Sequence, residues 1–331
     1  MTLKNRRYIK WLAAILVFAS ATLLFVWRLL PFTAYDMRRC VVSVEHGYCY
    51  ALASADSTIM YFAGLTPDTL FISPSDTAVT VSEYAAGCWI NAEPLLPSCE
   101  GRIASYFDAA DSCLYDTAVV RRLVNDELAA YQNRIEHLKH SRREIKYYID
   151  THGVSDEGFE RVVAFYSTIN AEDVRLRRIA AMLSKAAAAA SLKVSKIESY
   201  HVRYKDAAGK EVRTECRLIK PRGECGATLL QLPGAVTPDG VRAAATWHLL
   251  PFRPLQLRDT VYVMGTTYID DSEIARGSFG LVPEYLLGDS TMMFPRTSIS
   301  RGAPVFTRDG FFIGILGRDR VIRRRIIRKS L

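Results

Sequence analysis

The 331-residue sequence predicts a mainly β protein that is interrupted by a large helical insertion. Three observations lead to this fold class. Residues 33–114 are rich in β-branched and aromatic residues between turn-forming ones, residues 115–195 change to a helical pattern, and β-type segments return over residues 196–317. An apolar segment within residues 1–32 and a basic tail over residues 318–331 complete the predicted organisation.

Short strands are predicted on both sides of the insertion. Each is a run of β-branched or aromatic residues that is bounded by turn-forming residues. These segments are Val41–Val44, Ile59–Phe62, Leu70–Ile72, Ala78–Val81, His201–Tyr204, Glu211–Arg213, Leu229–Leu232, Thr260–Met264 and a closing pair within Val305–Ile315. The Asp206–Gly209 stretch indicates a hairpin turn between two of them.

The insertion has the pattern of a helical hairpin. Apolar residues at alternating spacings of four and three run from Val124 to Ile149, interrupted by Arg142, which indicates a coiled-coil-like seam on one long helix. A second helix is predicted to begin at Ser155 and a third at Asn170. The simplest arrangement is an antiparallel hairpin whose apolar seams face each other, and we expect the insertion to support self-association.

The N-terminal segment has the pattern of a membrane anchor. Four basic residues between positions 4 and 10 precede an apolar run from Trp11 to Trp27, which is roughly the shortest length that spans a bilayer as a helix. Cationic residues ahead of a first span favour a cytoplasmic N-terminus, so we expect a single-pass protein whose remainder is extracytoplasmic. The Ala19-Ser20-Ala21 triplet leaves a cleavable signal peptide as the alternative.

Seven cysteines fit an extracytoplasmic, disulfide-permissive location. Cys216 and Cys225 flank a predicted strand and turn and are the first candidates for a bridge, while Cys88, Cys99 and Cys113 lie close enough in sequence to supply a second. The odd number leaves at least one thiol unpaired. No cysteine or histidine spacing is typical of zinc, so neither a metal nor a cofactor is predicted.

The formal net charge of +8 is partly concentrated in the tail, from Arg318 to Lys329. We interpret this tail as a solvated, frayed terminus, with contact to anionic lipid as the alternative. No aromatic residues alternate with its basic residues and no nucleic-acid motif accompanies them, so nucleic-acid binding is excluded.

The loop Ser300-Arg301-Gly302-Ala303-Pro304 is the most informative segment of the chain. It precedes a short strand, an Asp-Gly turn and an Ile-Gly-Ile strand. This layout resembles the nucleophile loop of trypsin-like serine proteases. Counted back from Pro304, Ala303 and Gly302 take the two glycine positions of that family, and Arg301 takes the position of the serine.

Four further segments resemble the same family in the same order, and the similarity is greatest to the bacterial periplasmic high-temperature-requirement proteases. Gly87–Ser98 resembles the strand, turn and strand leading to the catalytic histidine, and Tyr204–Lys210 a later hairpin. Gly226–Leu232 resembles the strand that opens with the catalytic aspartate, and Leu257–Gly265 the first strand of the second barrel. The resemblance implies a two-barrel trypsin-like fold in a protein of the bacterial inner membrane, with a periplasmic C-terminal domain.

The resemblance also implies a triad that is degenerate at all three positions. Serine proteases need a hydroxyl nucleophile, an imidazole that takes its proton and a carboxylate that orients the imidazole. The corresponding positions fall near Glu100 and Gly101 for the imidazole, on Cys225 or Gly226 for the carboxylate and on Arg301 for the nucleophile. The fallback nucleophile is Ser300, one residue from the expected place, and the fallback base is His46, which lies beside a glutamate.

Three functions remain open at this stage. The first is a membrane-anchored pseudoprotease that binds or scaffolds a protein or peptide partner without catalysis. The second is an active serine endopeptidase that uses Ser300 with an unidentified base. The third is a structural envelope protein that associates through the helical insertion.

Overall fold

The computed structural model describes residues 11, 15–17, 19, 31–54, 57–66, 68–72, 81–91, 100–107, 116–220, 226–247, 256, 258–266, 271–286, 300–318 and 320–330. The predicted anchor over residues 1–32 lies almost entirely outside them. Among the residues that are described, no helix is both long enough and apolar enough to cross a membrane.

The described elements are strands on both sides of two consecutive long helices, together with three short helices. They are α1 (Ala34–Cys40), β1 (Val41–Ser54), β2 (Ser57–Leu65), β3 (Leu70–Ile72), β4 (Val81–Asn91), β5 (Arg102–Ser105), α2 (Thr117–Thr151), α3 (Phe159–Ala188), β6 (Lys193–Lys205), β7 (Glu211–Lys220), β8 (Thr228–Gln231), β9 (Ala244–Ala245), β10 (Thr260–Gly265), α4 (Asp271–Arg276), β11 (Gly280–Tyr285), β12 (Pro304–Thr307), β13 (Phe312–Leu316), β14 (Val321–Arg323) and α5 (Arg324–Ser330).

The chain divides into two compact units. The first unit comprises Met1–Gly47, Ser82–Ala109 and Ser199–Leu331, and the second comprises Tyr48–Val81 and Ala110–Glu198. The second unit is therefore made of two separate insertions into the first. One of them is the helical segment that the sequence predicts, whereas the other is a β segment that sequence reasoning assigned to the first barrel.

A closed six-stranded barrel forms the larger part of the first unit. Its hydrogen-bonded order is β1-β6-β7-β8-β5-β4, and β4 pairs in turn with β1, which closes the ring. Apolar side chains that alternate along these strands fill the interior, including Val44, Trp89, Ile103, Val202 and Leu230. The prediction of a mainly β protein is confirmed, and the closed barrel fits a trypsin-like fold.

A five-stranded antiparallel sheet follows the barrel in the same unit, with the order β11-β10-β12-β13-β14. Phe306 and Phe312 of this sheet pack in one apolar cluster with Ile90 and Leu229 of the barrel. Strand β14 and helix α5 occupy most of the basic tail, and Ile327 of α5 is fully buried in the same cluster. The expected frayed terminus is therefore wrong for this part, because three apolar residues, Val321, Ile322 and Ile327, bury against the sheet.

The second unit combines a small sheet with the helical hairpin. Strands β2 and β3 extend the end of β1. Leu52 of β1, Phe62 of β2 and Leu70 of β3 share a core with Leu123 of α2 and Leu183 of α3. This shared core explains the β-rich stretch before residue 76, because β2 and β3 pack against the helices and are not strands of the barrel.

The hairpin has two helices where three were predicted. Residues 170–188 continue α3 without a break because buried residues recur across Asn170, at Ile169, Asp173 and Leu176. Ser155 does not begin a helix either. Helix α3 starts after Gly158, whose φ of 85° is left-handed, and no side chain caps it.

The two helices run antiparallel, as side-chain contacts along the hairpin show. Near the start of α2, Arg121 Nη2 donates to the Ala189 carbonyl at 3.1 Å, whereas further along α2 Arg142 Nη1 lies 3.2 Å from Asp173 Oδ2. Arg142 is the residue that interrupts the apolar seam of α2. Its partner Asp173 is buried and also binds Arg177 Nε at 2.9 Å, so an ion-pair cluster replaces one apolar layer.

The predicted bridge between Cys216 and Cys225 is not supported. Cys216 carries a buried free thiol that packs among the apolar residues of the barrel interior, and Cys225 lies outside the described residues. Cys40, Cys49 and Cys88 are likewise buried free thiols, whereas Cys99 and Cys113 are not described.

Candidate functional site

The loop that resembles a protease nucleophile loop is a tight, buried turn. The Gly302 amide donates to the Leu316 carbonyl at 2.7 Å, and the Leu316 amide donates to the Ala303 carbonyl at 2.8 Å. The Ala303 amide closes the turn on the Ser300 carbonyl at 3.4 Å. Pro304 then starts β12, where it pairs with Ile315 of β13.

This loop is held against the barrel by its own backbone. The Ala86 amide of β4 donates to the Arg301 carbonyl at 2.8 Å, and the Ser105 hydroxyl of β5 donates to the Ala86 carbonyl at 2.7 Å. Gly302 has a φ of 78°, and a Cβ atom there would lie 1.9 Å from the Ala86 oxygen. Only glycine fits this contact, so any larger residue at position 302 would push the loop away from the barrel.

Ser300 points into the protein. Its side chain is fully buried, and its Oγ accepts a hydrogen bond from the Thr266 amide at 3.3 Å. Among the described residues this amide is the hydroxyl's one hydrogen-bond partner. The hydroxyl therefore fixes the loop to the end of β10, and no histidine of the described part binds it.

Gly226 lies at the same end of the barrel as the loop. Thr228 of β8 stands opposite Ser105 of β5, and Gly226 comes two residues before Thr228 with a left-handed φ of 72°. Gly226, one of the positions that the resemblance assigns to the carboxylate, therefore lies two residues from the partner of Ser105, the residue of β5 that supports the loop. Cys225, the other candidate, is not described.

Glu100 and Gly101 lie at the opposite end of β5, so the structure does not bring them to the loop. The Gly101 amide donates to Thr237 Oγ1 at 3.3 Å, and Glu100 Oε2 lies 3.4 Å from Arg102 Nη1. A strand rises about 3.3 Å per residue, which puts Gly101 roughly 13 Å from Ser105 along β5. The two residues that the resemblance assigns to the imidazole are therefore separated from the loop by the length of β5.

The residues that continue β5 toward the loop are Tyr106 and Phe107, which sequence reasoning missed. Both are buried, and Phe107 is the last described residue of this segment. The signal was present in the sequence, since Arg102–Ser105 is itself a short strand of the strand-turn-strand unit. Counting from the end of that strand leads to residues 106–108, where Asp108 follows the two aromatic residues.

His46 belongs to the barrel interior. Its ring stacks on Tyr200 with centroids 4.6 Å apart and lies 5.0 Å from the ring of Phe107. Its Nδ1 is 3.8 Å from Glu83 Oε2, beyond hydrogen-bonding distance. The fallback pair of Ser300 and His46 therefore shares no hydrogen bond.

Comparisons with known proteins give similarities of structure and none of sequence. No family model matches the chain, and no curated protein matches it. The chain is similar to the crystal structure of Deg5, with a TM-score of 0.37 and 9% identity over 94% of this chain and 92% of that chain. It is also similar to the apo MamO protease domain from Magnetospirillum magneticum, with a TM-score of 0.27 and 14% identity over 40% of this chain and 75% of that chain.

The topology fits a trypsin-like fold. The features that fit it are the closed six-stranded barrel, the antiparallel sheet that follows it, and the loop before β12 that contacts the barrel through Ala86.

Proposed function

We propose that this chain is a membrane-anchored, extracytoplasmic protein with a trypsin-like fold that lacks peptidase activity and serves as a binding or scaffolding module. The observation that carries the proposal is the state of Ser300, whose hydroxyl is fully buried and bound to the Thr266 amide. Its neighbour Arg301 stands where the resemblance expects the serine, and its carbonyl is bound to Ala86.

Chemistry supports the same proposal. A serine hydroxyl becomes a nucleophile when an adjacent general base takes its proton. Ser300 has no imidazole among its hydrogen-bond partners in the described part of the chain, and the described residues that follow β5, Tyr106 and Phe107, are not histidines. A guanidinium at Arg301 cannot attack a carbonyl carbon, because it carries no lone pair that is free for nucleophilic attack while it is protonated.

A fluorophosphonate probe tests the absence of catalysis. We expect no covalent labelling of the folded chain under conditions that label trypsin fully. Ser300→Ala serves as the matched variant, and circular dichroism establishes that it folds. Labelling of the parent chain that disappears in Ser300→Ala would show an active peptidase and refute the proposal.

A second candidate, structural association through the helical hairpin, is favoured by exposed apolar residues on α3. Val163 is 40% exposed and Val174 is 62% exposed, and their separation of three helical turns puts them on one face. The partner we propose for this face is a second copy of the chain. Deleting residues 115–194 would uncover the apolar strands of the second unit, so point substitution is the better test.

The double substitution Val163→Glu/Val174→Glu is expected to convert dimers into monomers in analytical ultracentrifugation. Glu160→Lys, on the exposed first turn of the same helix, is the control for a change of charge alone. An unchanged oligomeric state in the double variant would remove this candidate.

A further inference from the structure

A cavity of about 610 Å³ opens in the first unit, away from the protease-like loop. Helix α1, the hairpin between β6 and β7, and the end of α4 line it. None of its lining residues belongs to the loop 300–304 or to Ala86 and Ser105, which support that loop. Its volume is typical of sites for small molecules or short peptide segments.

The walls of the cavity are strongly cationic. Five basic side chains line it, and they are Arg38, Arg39, Arg203, Lys205 and Arg276. Asp206 and Glu211 are the acidic residues of the lining. The carboxylate of Asp206 is already bound, because its Oδ1 accepts from the Ala208 and Lys210 amides at 2.9 Å. The cavity therefore has a surplus of positive charge that its own carboxylates do not neutralise.

Several of these cations are held in fixed positions. The Arg39 guanidinium lies 5.3 Å from the centroid of the Tyr35 ring, and its Nε donates to the Gly240 carbonyl. Arg276 is anchored to Ser272 by hydrogen bonds of 3.1 and 2.9 Å. A site that is built before its ligand arrives loses less entropy on binding, so these anchored arginines favour recognition.

Two cations at the rim have no anionic partner. Arg38 and Lys205 are exposed, and neither forms an ion pair with any residue that the structure describes. They stand on different elements, α1 and β6, so they border the cavity from two sides. Such a pair is suited to contact two acidic groups on one ligand.

From these observations we infer that the cavity binds an acidic peptide segment of a partner protein, rich in aspartate or glutamate. Carboxylates match the geometry of arginine side chains and accept several hydrogen bonds each. Tyr35, Tyr204 and Phe279 add aromatic surface that suits the apolar parts of a peptide, which a small inorganic anion lacks. The inference names the class of partner that the proposed binding module recognises. It rests on the proposed function in one respect, namely that the bound peptide is released without being cleaved.

The test uses the full chain in detergent micelles and a fluorescein-labelled octapeptide of alternating Glu and Tyr. Fluorescence anisotropy is expected to show saturable binding that weakens as salt rises. Arg38→Glu/Lys205→Glu is expected to weaken binding by about tenfold or more, the effect of roughly one charge contact. The same peptide with Gln in place of Glu is expected not to bind.

The control is Arg325→Glu/Arg328→Glu, which makes the same change of charge on exposed residues of α5 outside the cavity. It is expected to leave binding within about twofold. Equal weakening by both double variants, equal binding of the Gln peptide or no binding at all would each overturn the inference. Mass spectrometry of the recovered peptide separates the two proposals, because cleavage would refute the inactive module while leaving the cavity's specificity standing.

Discussion

Replacing Gly302 with alanine tests how tightly the loop is bound to the barrel. The φ of 78° costs an L-residue roughly 1–2 kcal/mol. The added Cβ would also lie 1.9 Å from the Ala86 oxygen, so the loop has to move away from β4. That movement breaks the hydrogen bond from Ala86 to Arg301 and weakens that from Gly302 to Leu316, each worth about 0.5–1.5 kcal/mol net. We expect Gly302→Ala to lower the free energy of unfolding by about 2–5 kcal/mol.

Gly209 provides a matched control for this substitution. Its φ is also 78°, but a Cβ atom there would meet nothing within 4 Å. Gly209→Ala should therefore cost only the conformational part, about 1–2 kcal/mol. Urea denaturation followed by tryptophan fluorescence measures both variants. Equal losses of stability would refute the reasoning, because the contact between Gly302 and Ala86 would then contribute nothing.

Three further predictions concern single residues. The hydrogen bond from Arg175 lowers the pKa of Glu172 below its usual 4.5, so its stabilising contribution is present above that pH and is lost as the pH falls through the lowered value. Thermal unfolding between pH 3 and 6 should thus depend less on pH in Glu172→Gln. Burial raises the pKa of the Cys216 thiol to about 12, so at pH 8 iodoacetamide should alkylate it only after unfolding, as peptide mass spectrometry would reveal. Leu183→Ala, in the core of the second unit, should cost about 2–5 kcal/mol, measured by the loss of helical circular dichroism with temperature.

Local patterns were sufficient to predict the individual elements. The Asp206–Gly209 turn with its two flanking strands and the closing strand pair form as their sequences indicate, and the helical insertion forms a hairpin of two helices instead of three. Each depends on contacts between residues that are close in sequence. The length of α3 was missed because Asn170 was taken as a start signal, although the buried positions on either side of it continue one helical stripe.

Long-range pairing could not be read from the sequence. Strands β1 and β6 are neighbours in the barrel, but nothing in either segment specifies the other. For the same reason β2 and β3 were assigned to the barrel, since a strand pattern does not say which sheet the strand joins. The loop at Arg301 was found because its residues are contiguous. Glu100 and Gly101 do not come to the loop because the four residues of β5 lie between them and the end of the strand that supports it.

The way the hairpin begins and ends has a consequence for synthesis of the chain. Arg121 Nη2, near the start of α2, donates to the carbonyls of Ala189 and Ala190 at 3.1 Å. In the folded hairpin the end of α3 therefore lies beside the start of α2. Three barrel strands leave the ribosome before this hairpin, and the other three leave after it. Without the hairpin, joining the two halves would mean closing a loop of about 90 residues, whose entropic cost grows with length. A hairpin that folds first, while still nascent, leaves only a short gap for the last three strands to bridge.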